Sequence, residues 1–179
     1  MLRLFVGIEL PDALKQQLAR VREEYPAARW HEPEQLHLTL NFIGSVDEEC
    51  ARRMVAALDG VGGSPFPLAV QGVGYFGTPQ RPSVIWAGLA PSAALHQLQQ
   101  RLEQRLAPLG LVVEDRPYRP HITLARVRPG MPLQAFLQQH AGLSSRPFQV
   151  EHVCMFLSSG GEQGVRYQVI ERVRLGQPD

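Results

Sequence analysis

The sequence contains one short pattern twice, and both copies carry residues that can move protons. Residues 37–40 read HLTL and residues 121–124 read HITL, so both have the form His-x-Thr-Leu. From six histidines and three threonines in 179 residues, chance alone gives roughly 0.1 His-x-Thr triplets. Imidazole titrates near neutral pH, and a hydroxyl donates hydrogen bonds to oxygens that gain negative charge. The doubled pattern therefore predicts paired acid–base chemistry.

The residues of each copy are expected to divide between the two faces of a strand. Side chains alternate along a strand, so His37 and Thr39 share one face, and the leucines between and after them take the other. His121 and Thr123 repeat this arrangement. If the two free faces line one cleft, one histidine can take a proton while the other gives one. Displacement at phosphorus fits this arrangement, with the threonines holding the non-bridging oxygens.

The elements around the two copies follow the same order along the chain. Helices are predicted over residues 11–25, 46–60, 92–110 and 132–142. Strands are predicted over residues 2–10, 35–44, 66–77, 83–89, 120–127, 147–157 and 165–175. Each half of the chain thus runs strand, helix, His-x-Thr strand, helix and strand, which suggests an internal duplication.

This order predicts an α+β fold of two similar lobes related by a pseudo-twofold axis. Each lobe is expected to be an antiparallel sheet with helices on the outside, and the two lobes enclose a central cleft. Residues 1–179 then form a single two-lobed domain, with approximate halves 1–80 and 81–179.

Composition and charge exclude several classes of protein. The chain is 44% apolar and 20% charged with a net charge of +1, which is ordinary for a globular protein and argues against binding to long duplex DNA. No apolar run approaches the roughly 20 residues of a membrane helix. Cys50 and Cys154 belong to no paired motif, so reduced thiols and a cytoplasmic location are expected.

The motif and its flanks, RWHEPEQLHLTLNFIGSVD and YRPHITLARVR, resemble the 2H phosphoesterase superfamily. Within it, the chain is similar over nearly its whole length to the RNA 2′,3′-cyclic phosphodiesterase family, historically called 2′–5′ RNA ligases. The resemblance implies hydrolysis of RNA 2′,3′-cyclic phosphate ends to 2′-phosphomonoesters. It implies that His37 donates a proton to the departing 3′ oxygen and that His121 accepts one from water. Thr39 and Thr123 would bind the phosphate.

The family also uses an aromatic residue shortly after the first copy and an arginine shortly after the second. These match Phe42 and Arg126 as substrate-binding residues. Strict alternation places both on the faces opposite their histidines, so each needs a strand end, a twist or a bulge to reach the cleft. Phe42 is equally suited to the core, and Arg128 is the substitute for Arg126.

The remaining histidines and aromatic residues are weaker candidates. His31 lies in a charged turn and is expected to be solvated, whereas His96, His140 and His152 suit surface or packed positions. Five aromatic residues can stack on a nucleobase, and the sequence does not choose among them: Trp30, Tyr75, Phe76, Trp86 and Tyr118.

No metal and no cofactor are expected, because neither motif has a second ligand at metal-binding spacing. The only lysine, Lys15, lies outside any ATP-binding loop, so ligation would have to be ATP-independent. The expected partners are RNA ends or small cyclic-phosphate nucleotides, with no membrane, no inferable protein partner and a monomeric state. Two alternatives remain: a phosphodiesterase for small cyclic nucleotide or 2′–5′ linked substrates, and a non-catalytic binder of phosphorylated RNA ends.

Overall fold

The computed structural model describes residues 1–161 and 164–176. This part of the chain contains ten β-strands and four α-helices. The strands are β1 (Leu2–Glu9), β2 (Ala28–Trp30), β3 (His37–Val46), β4 (Phe66–Leu68), β5 (Val70–Gly77), β6 (Pro82–Leu89), β7 (Ile122–Val127), β8 (Phe148–Val150), β9 (His152–Ser159) and β10 (Arg166–Arg174). The helices are α1 (Asp12–Ala19), α2 (Glu48–Leu58), α3 (Ala93–Leu106) and α4 (Leu133–Gln139). None of these helices is long and apolar enough to cross a bilayer.

Two four-stranded sheets carry the two motif copies. Sheet A has the order β10-β9-β1-β3, and β3 begins with His37. Sheet B has the order β2-β7-β6-β5, and β7 begins directly after His121. All strand pairs are antiparallel, including the separate pair of β4 and β8. The predicted α+β class with antiparallel sheets is confirmed.

Each sheet combines strands from both sides of residue 80. Sheet A joins β1 and β3 to β9 and β10, and sheet B joins β2 and β5 to β6 and β7. The order β3-β1-β9 in sheet A corresponds to β7-β6-β5 in sheet B, with each motif strand beside the strand that starts its own half. A boundary at residue 80 therefore does not separate the sheets, and the internal duplication stays a prediction.

The apolar residues of both motifs lie in one continuous core. Leu38, Leu40, Ile122 and Leu124 are all buried there, in the same cluster as the leucine stripe of α3. This orientation leaves the histidines and threonines on the opposite face of each sheet, as alternation requires. Helix α2 is capped by Asp47, whose side chain accepts from the backbone N–H of Cys50 at 2.7 Å.

Helix α1 ends at Ala19, well before the predicted end at Tyr25. The segment that follows is not helical. In it, the backbone carbonyl of Glu23 accepts a hydrogen bond from the indole N–H of Trp30 at 2.7 Å. Val21 is buried nonetheless, so the apolar spacing indicated burial correctly. This segment leads into β2, a three-residue strand that the sequence did not predict.

Gly7 allows β1 to lie close to the first motif strand. A Cβ built on Gly7 would fall 2.6 Å from the carbonyl oxygen of Leu38, so a larger residue forces the backbone of β3 to move. We expect Gly7→Ala to lower the free energy of unfolding by about 1–3 kcal/mol, measured by urea denaturation. The control is Gly142→Ala, because nothing lies within 4 Å of the Cβ added there. Equal stabilities of the two variants would contradict the close approach.

Candidate active site

A β-bulge interrupts the alternation of β3 directly after its motif. In the pairing with β1, Leu40 has no partner, and Leu40 and Asn41 are consecutive buried residues. Phe42 then returns to the face of His37, where it is 52% exposed. It pairs with Phe5, whose ring centroid lies 4.7 Å from that of His37. Phe42 is therefore not a core residue.

Strand β7 carries the same bulge at the same point of its motif. Leu124 has no partner in the pairing with β6, and Leu124 and Ala125 are both buried. Arg126 consequently comes to the face of Thr123 and is exposed. Phe42 and Arg126 thus occupy corresponding positions in the two sheets. Strict alternation would have turned both side chains away from the motif histidines.

The imidazole of His37 is held at both nitrogens. Its Nδ1 donates to the carbonyl of Gln35 at 2.8 Å, and its Nε2 lies 2.9 Å from the hydroxyl oxygen of Thr39. Because a carbonyl oxygen only accepts, the neutral ring carries its proton on Nδ1, and the Thr39 hydroxyl donates to Nε2. The atom left for proton exchange with a ligand is therefore Nε2.

Three aromatic rings surround His37 at centroid distances of 4.7, 5.6 and 4.8 Å: Phe5, Phe156 and Tyr167. Burial lowers the pKa of His37 to about 4, although the bond to the Gln35 carbonyl raises it. The charges of His31 and His121 lower this pKa further. His37 is therefore neutral at pH 7 until a neighbouring anion favours its protonated form.

His121 resembles His37 at its Nδ1, although no hydrogen bond from its Nε2 to Thr123 is present in the described residues. Its Nδ1 donates to the carbonyl of Arg119 at 2.8 Å, and its ring packs against Phe76 and Trp86 at centroid distances of 4.8 and 6.1 Å. Burial lowers the pKa of His121, and the Arg119 carbonyl opposes that shift. In both motifs the carbonyl two residues before the histidine selects the tautomer, which leaves Nε2 to react.

Tyr118 connects the two motif copies. It lies three residues before His121, and its hydroxyl donates to the backbone carbonyl of Thr39 at 2.6 Å. Strands β3 and β7 lie next to each other, and the charge of His121 lowers the pKa of His37. The two faces thus bring together two neutral imidazoles and two hydroxyls, which can accept one proton and donate another.

Arginine side chains surround this group. The Arg3 guanidinium lies 5.6 Å from the centroid of the Phe42 ring, and Arg119 stands over another aromatic ring at 5.8 Å. Burial raises the pKa of Tyr167, whereas the charges of Arg126 and Arg3 lower it. Arginines from both sheets therefore act on the same residue beside His37, and the site attracts anions.

His31 is not the solvated residue that the sequence predicted. Its backbone N–H donates to the carbonyl of Leu124 at 2.8 Å, and its Nδ1 is buried without a hydrogen-bond partner in residues 1–161 and 164–176. Burial lowers the pKa of His31 to about 4, and the charges of Arg126 and Arg29 lower it further. The prediction was wrong because the chain forms the unforeseen strand β2 just before His31, and the backbone of His31 continues this pairing with β7.

Sequence reasoning missed the aromatic rings around His37. Phe5 and Phe156 lie in continuous apolar strands, where the side chains do not reveal which face is in the core. The sequence offered one indication: Phe5 alternates with core residues of β1, so its side chain lies on the opposite face of the strand. Of the aromatic residues that the sequence proposed for base stacking, three lie beside the motif residues: Phe76, Trp86 and Tyr118. The other two pack against the core: Trp30 and Tyr75.

Metal ligation and thiol chemistry find little support at this site. No group of three or more His, Cys, Asp or Glu side chains is placed to hold a metal ion in the described part of the chain. Cys50 and Cys154 are free thiols, and burial is the main cause that raises the pKa of Cys154 to about 12. Metal independence and a cytoplasmic location stay predictions.

The fold and the paired histidines define a class of protein suited to acid–base chemistry on an anionic group. Residues 10–162 match the 2′-5′ RNA ligase superfamily. Because that span covers most of the chain, the protein belongs to this superfamily. The family predicted from the doubled motif is confirmed.

Similar proteins share both sequence and fold with this chain. The RNA 2′,3′-cyclic phosphodiesterase of Archaeoglobus fulgidus is 32% identical over 130 residues, which cover 71% of this chain and 73% of that protein. The enzyme of the same name from Methanocaldococcus jannaschii is 28% identical over 95% of this chain and 99% of its own. The crystal structure of TT0787 of Thermus thermophilus has a TM-score of 0.82 at 25% identity and covers 96% of this chain and 97% of its own. E. coli LigT complexed with 3′-AMP has a TM-score of 0.79 at 28% identity and covers 98% and 99%.

The hydrogen bonds of the two motif histidines predict their titration. We expect nitrogen-15 NMR of the ligand-free protein to show both rings in the Nδ1–H form at pH 7, because each Nδ1 faces a carbonyl oxygen. His37 should titrate near pH 4 and His121 below its ordinary value of about 6.5, because both rings are buried. A His37 pKa of 6.5 or higher, or an Nε2–H form of either ring, would contradict this geometry.

Proposed function

We propose that this protein hydrolyses the 2′,3′-cyclic phosphate at RNA ends to a 2′-phosphomonoester by paired-histidine catalysis. The observation that carries the proposal is the matched pair of imidazoles, each with Nδ1 bound to a carbonyl and Nε2 on the motif face. Two such groups suit a reaction that removes one proton and delivers another. The similar enzymes named RNA 2′,3′-cyclic phosphodiesterase support the choice of substrate.

In the proposed reaction the Nε2 of His121 accepts a proton from water as the water oxygen attacks phosphorus. The bond from phosphorus to the 3′ oxygen breaks, and the protonated Nε2 of His37 gives its proton to that departing oxygen. The negative charge of the bound phosphodiester favours the protonated form of His37, which the aromatic surroundings disfavour in the free protein. Proton exchange with solvent then restores both rings.

The threonines and the residues after the bulges bind the substrate in this proposal. Thr39 and Thr123 share the faces of their histidines, so their hydroxyls can donate to the non-bridging oxygens. Arg126 offers a planar fork of donors that matches phosphate oxygens. Phe42 presents an exposed ring on which a base can stack. The LigT structure with 3′-AMP supports a nucleoside phosphate as the ligand.

Removal of either motif histidine tests the reaction. We expect His37→Ala and His121→Ala each to lower turnover of RNA with a 2′,3′-cyclic phosphate by 100-fold or more, on the order of the contribution of one general acid or base. Phosphorus NMR in the presence of a chelator measures turnover, shows whether the product is the 2′ or the 3′ ester, and tests metal independence. The matched control is His140→Gln, because His140 lies outside the site with its Nε2 3.7 Å from Glu23.

Three outcomes would contradict the assignment. Wild-type turnover by both alanine variants would exclude the paired-histidine mechanism. Saturable binding of cyclic-phosphate RNA without product, even after long incubation, would favour the alternative of a non-catalytic binder. Faster turnover of a cyclic mononucleotide or a 2′–5′ linked oligonucleotide than of a cyclic-phosphate RNA end would favour the alternative substrate classes.

The pH dependence follows from the lowered pKa values of the two histidines. The bell-shaped pH profile of kcat/KM reports the pKa values of the free enzyme. We expect its maximum below pH 6.5, because burial lowers the pKa values of both histidines. The pH profile of kcat reports the pKa values of the enzyme–substrate complex. The bound phosphate raises the pKa values of both histidines there, so the maximum of kcat should lie at higher pH. Initial rates from pH 4 to 9 measure both profiles. A kcat/KM maximum at pH 7 or above would contradict the expectation.

A further inference from the structure

Strand β2 brings one arginine, Arg29, to the site, and this arginine has no role in the proposed reaction. In the pairing of β2 with β7, Arg29 lies directly opposite Arg126. Directly opposed residues of an antiparallel pair point to the same face, so Arg29 shares the face of Arg126 and Thr123. Both side chains are exposed, and two like charges in this position repel each other, so an anion bound between them would relieve that repulsion.

No protein group supplies that anion in the described residues. Neither Arg29 nor Arg126 forms a salt bridge there, whereas Arg172 donates to both carboxylate oxygens of Glu9 at 2.6 and 3.0 Å. Arg22 likewise pairs with Glu32 at 3.2 Å. Within residues 1–161 and 164–176, these two opposed guanidinium groups therefore have no carboxylate partner, and both can bind a ligand anion.

His31 adds a third group without a partner at the same place. It directly follows β2, two residues after Arg29, and its backbone N–H bonds to Leu124 of β7, so alternation places both side chains on the same face. Its Nδ1 is buried and accepts or donates no hydrogen bond in residues 1–161 and 164–176. The charges of Arg126 and Arg29 both act on this ring. A ligand oxygen between the three side chains would satisfy the arginines and this ring together.

The position of Arg29 separates this group from the reacting phosphate. Arg126 lies on the same strand as Thr123, and Arg29 lies one strand further out, about 4.8 Å away in the sheet. The Arg29 guanidinium reaches towards sheet A, since a Cβ built on Gly164 would fall 3.2 Å from its Nη2. An anion between Arg29 and Arg126 therefore lies beside the group held by the motif residues.

We propose that Arg29, His31 and Arg126 form a second phosphate subsite, which holds the internucleotide phosphate on the 5′ side of the terminal nucleotide. This inference rests on the proposed function, because it takes the reacting phosphate to lie at the motif residues. Its consequence is a preference for RNA ends of two or more nucleotides over a cyclic mononucleotide. The arginine forks match the two non-bridging oxygens of a phosphodiester.

The test compares two substrates that differ only in this phosphate. One is a dinucleotide that ends in a 2′,3′-cyclic phosphate, and the other is the corresponding cyclic mononucleotide without a 5′ phosphate. We expect Arg29→Gln to lower the ratio of kcat/KM for dinucleotide over mononucleotide by about tenfold or more, the loss of a charge-assisted hydrogen bond. The matched control is Arg52→Gln, because Arg52 is exposed on α2. A wild-type ratio in Arg29→Gln would overturn the inference.

A second readout separates a phosphate contact from a merely structural effect. Loss of one phosphate contact should reduce the slope of log KM against log salt by about 0.7 for the dinucleotide in Arg29→Gln. A 5′-phosphorylated cyclic mononucleotide should show the same sensitivity to Arg29→Gln as the dinucleotide, because the subsite reads the phosphate alone. An equal loss on all three substrates would overturn the inference and assign Arg29 to the support of Arg126.

The inference can fail separately from the proposed function. If the wild-type protein turns over neither substrate, the proposed function fails. Dissociation constants for a 2′-phosphorylated dinucleotide and a nucleoside 2′-phosphate then test the subsite directly. Weaker binding of the dinucleotide alone by Arg29→Gln supports the second phosphate, and an unchanged ratio of dissociation constants rejects it.

Discussion

The alternation of side chains along a strand is the constraint on which this site depends, together with the two bulges that interrupt it. Alternation turns the apolar residues of each motif into the core and its histidine and threonine out of it. Continued without a break, it would also turn Arg126 into the core, where an unpaired charge is costly. The bulges at Leu40 and Leu124 absorb one residue in each strand, so the next exposed residue returns to the motif face. Catalytic chemistry and ligand contacts thereby share one face in both sheets.

The electrostatics of that face are suited to an anion. Aromatic rings around His37 and His121 remove water and hold both imidazoles neutral, while arginines at the edge carry charges without carboxylate partners in the described residues. A bound phosphate relieves both conditions, because it stabilises an imidazolium and pairs with the guanidinium groups. Ligand binding and proton uptake are therefore coupled at this site.

The two sheets depend on each other because each contains strands from both parts of the chain. Sheet A needs β9 and β10 from the end of the chain, and the aromatic surroundings of His37 include Phe156 and Tyr167 from those strands. The bond from the Tyr118 hydroxyl to the carbonyl of Thr39 then ties the start of one motif strand to the backbone of the other. Neither half of the sequence contains all the groups that surround its own histidine.

The sequence by itself determined the doubled motif, the superfamily, the α+β class and the core positions of Leu38 and Ile122. The motif, the α+β class and the core positions follow from local spacing, because periodicity is a property of neighbouring residues, whereas the superfamily follows from the resemblance of the motif and its flanks. Only the tertiary structure decided that Phe42 and Arg126 reach the motif face, that β2 exists, and that His31 is enclosed. Each of these depends on which strand lies opposite and in what register. The strands that pair come from distant segments of the chain, so the local pattern of either segment does not predict their partner or their register.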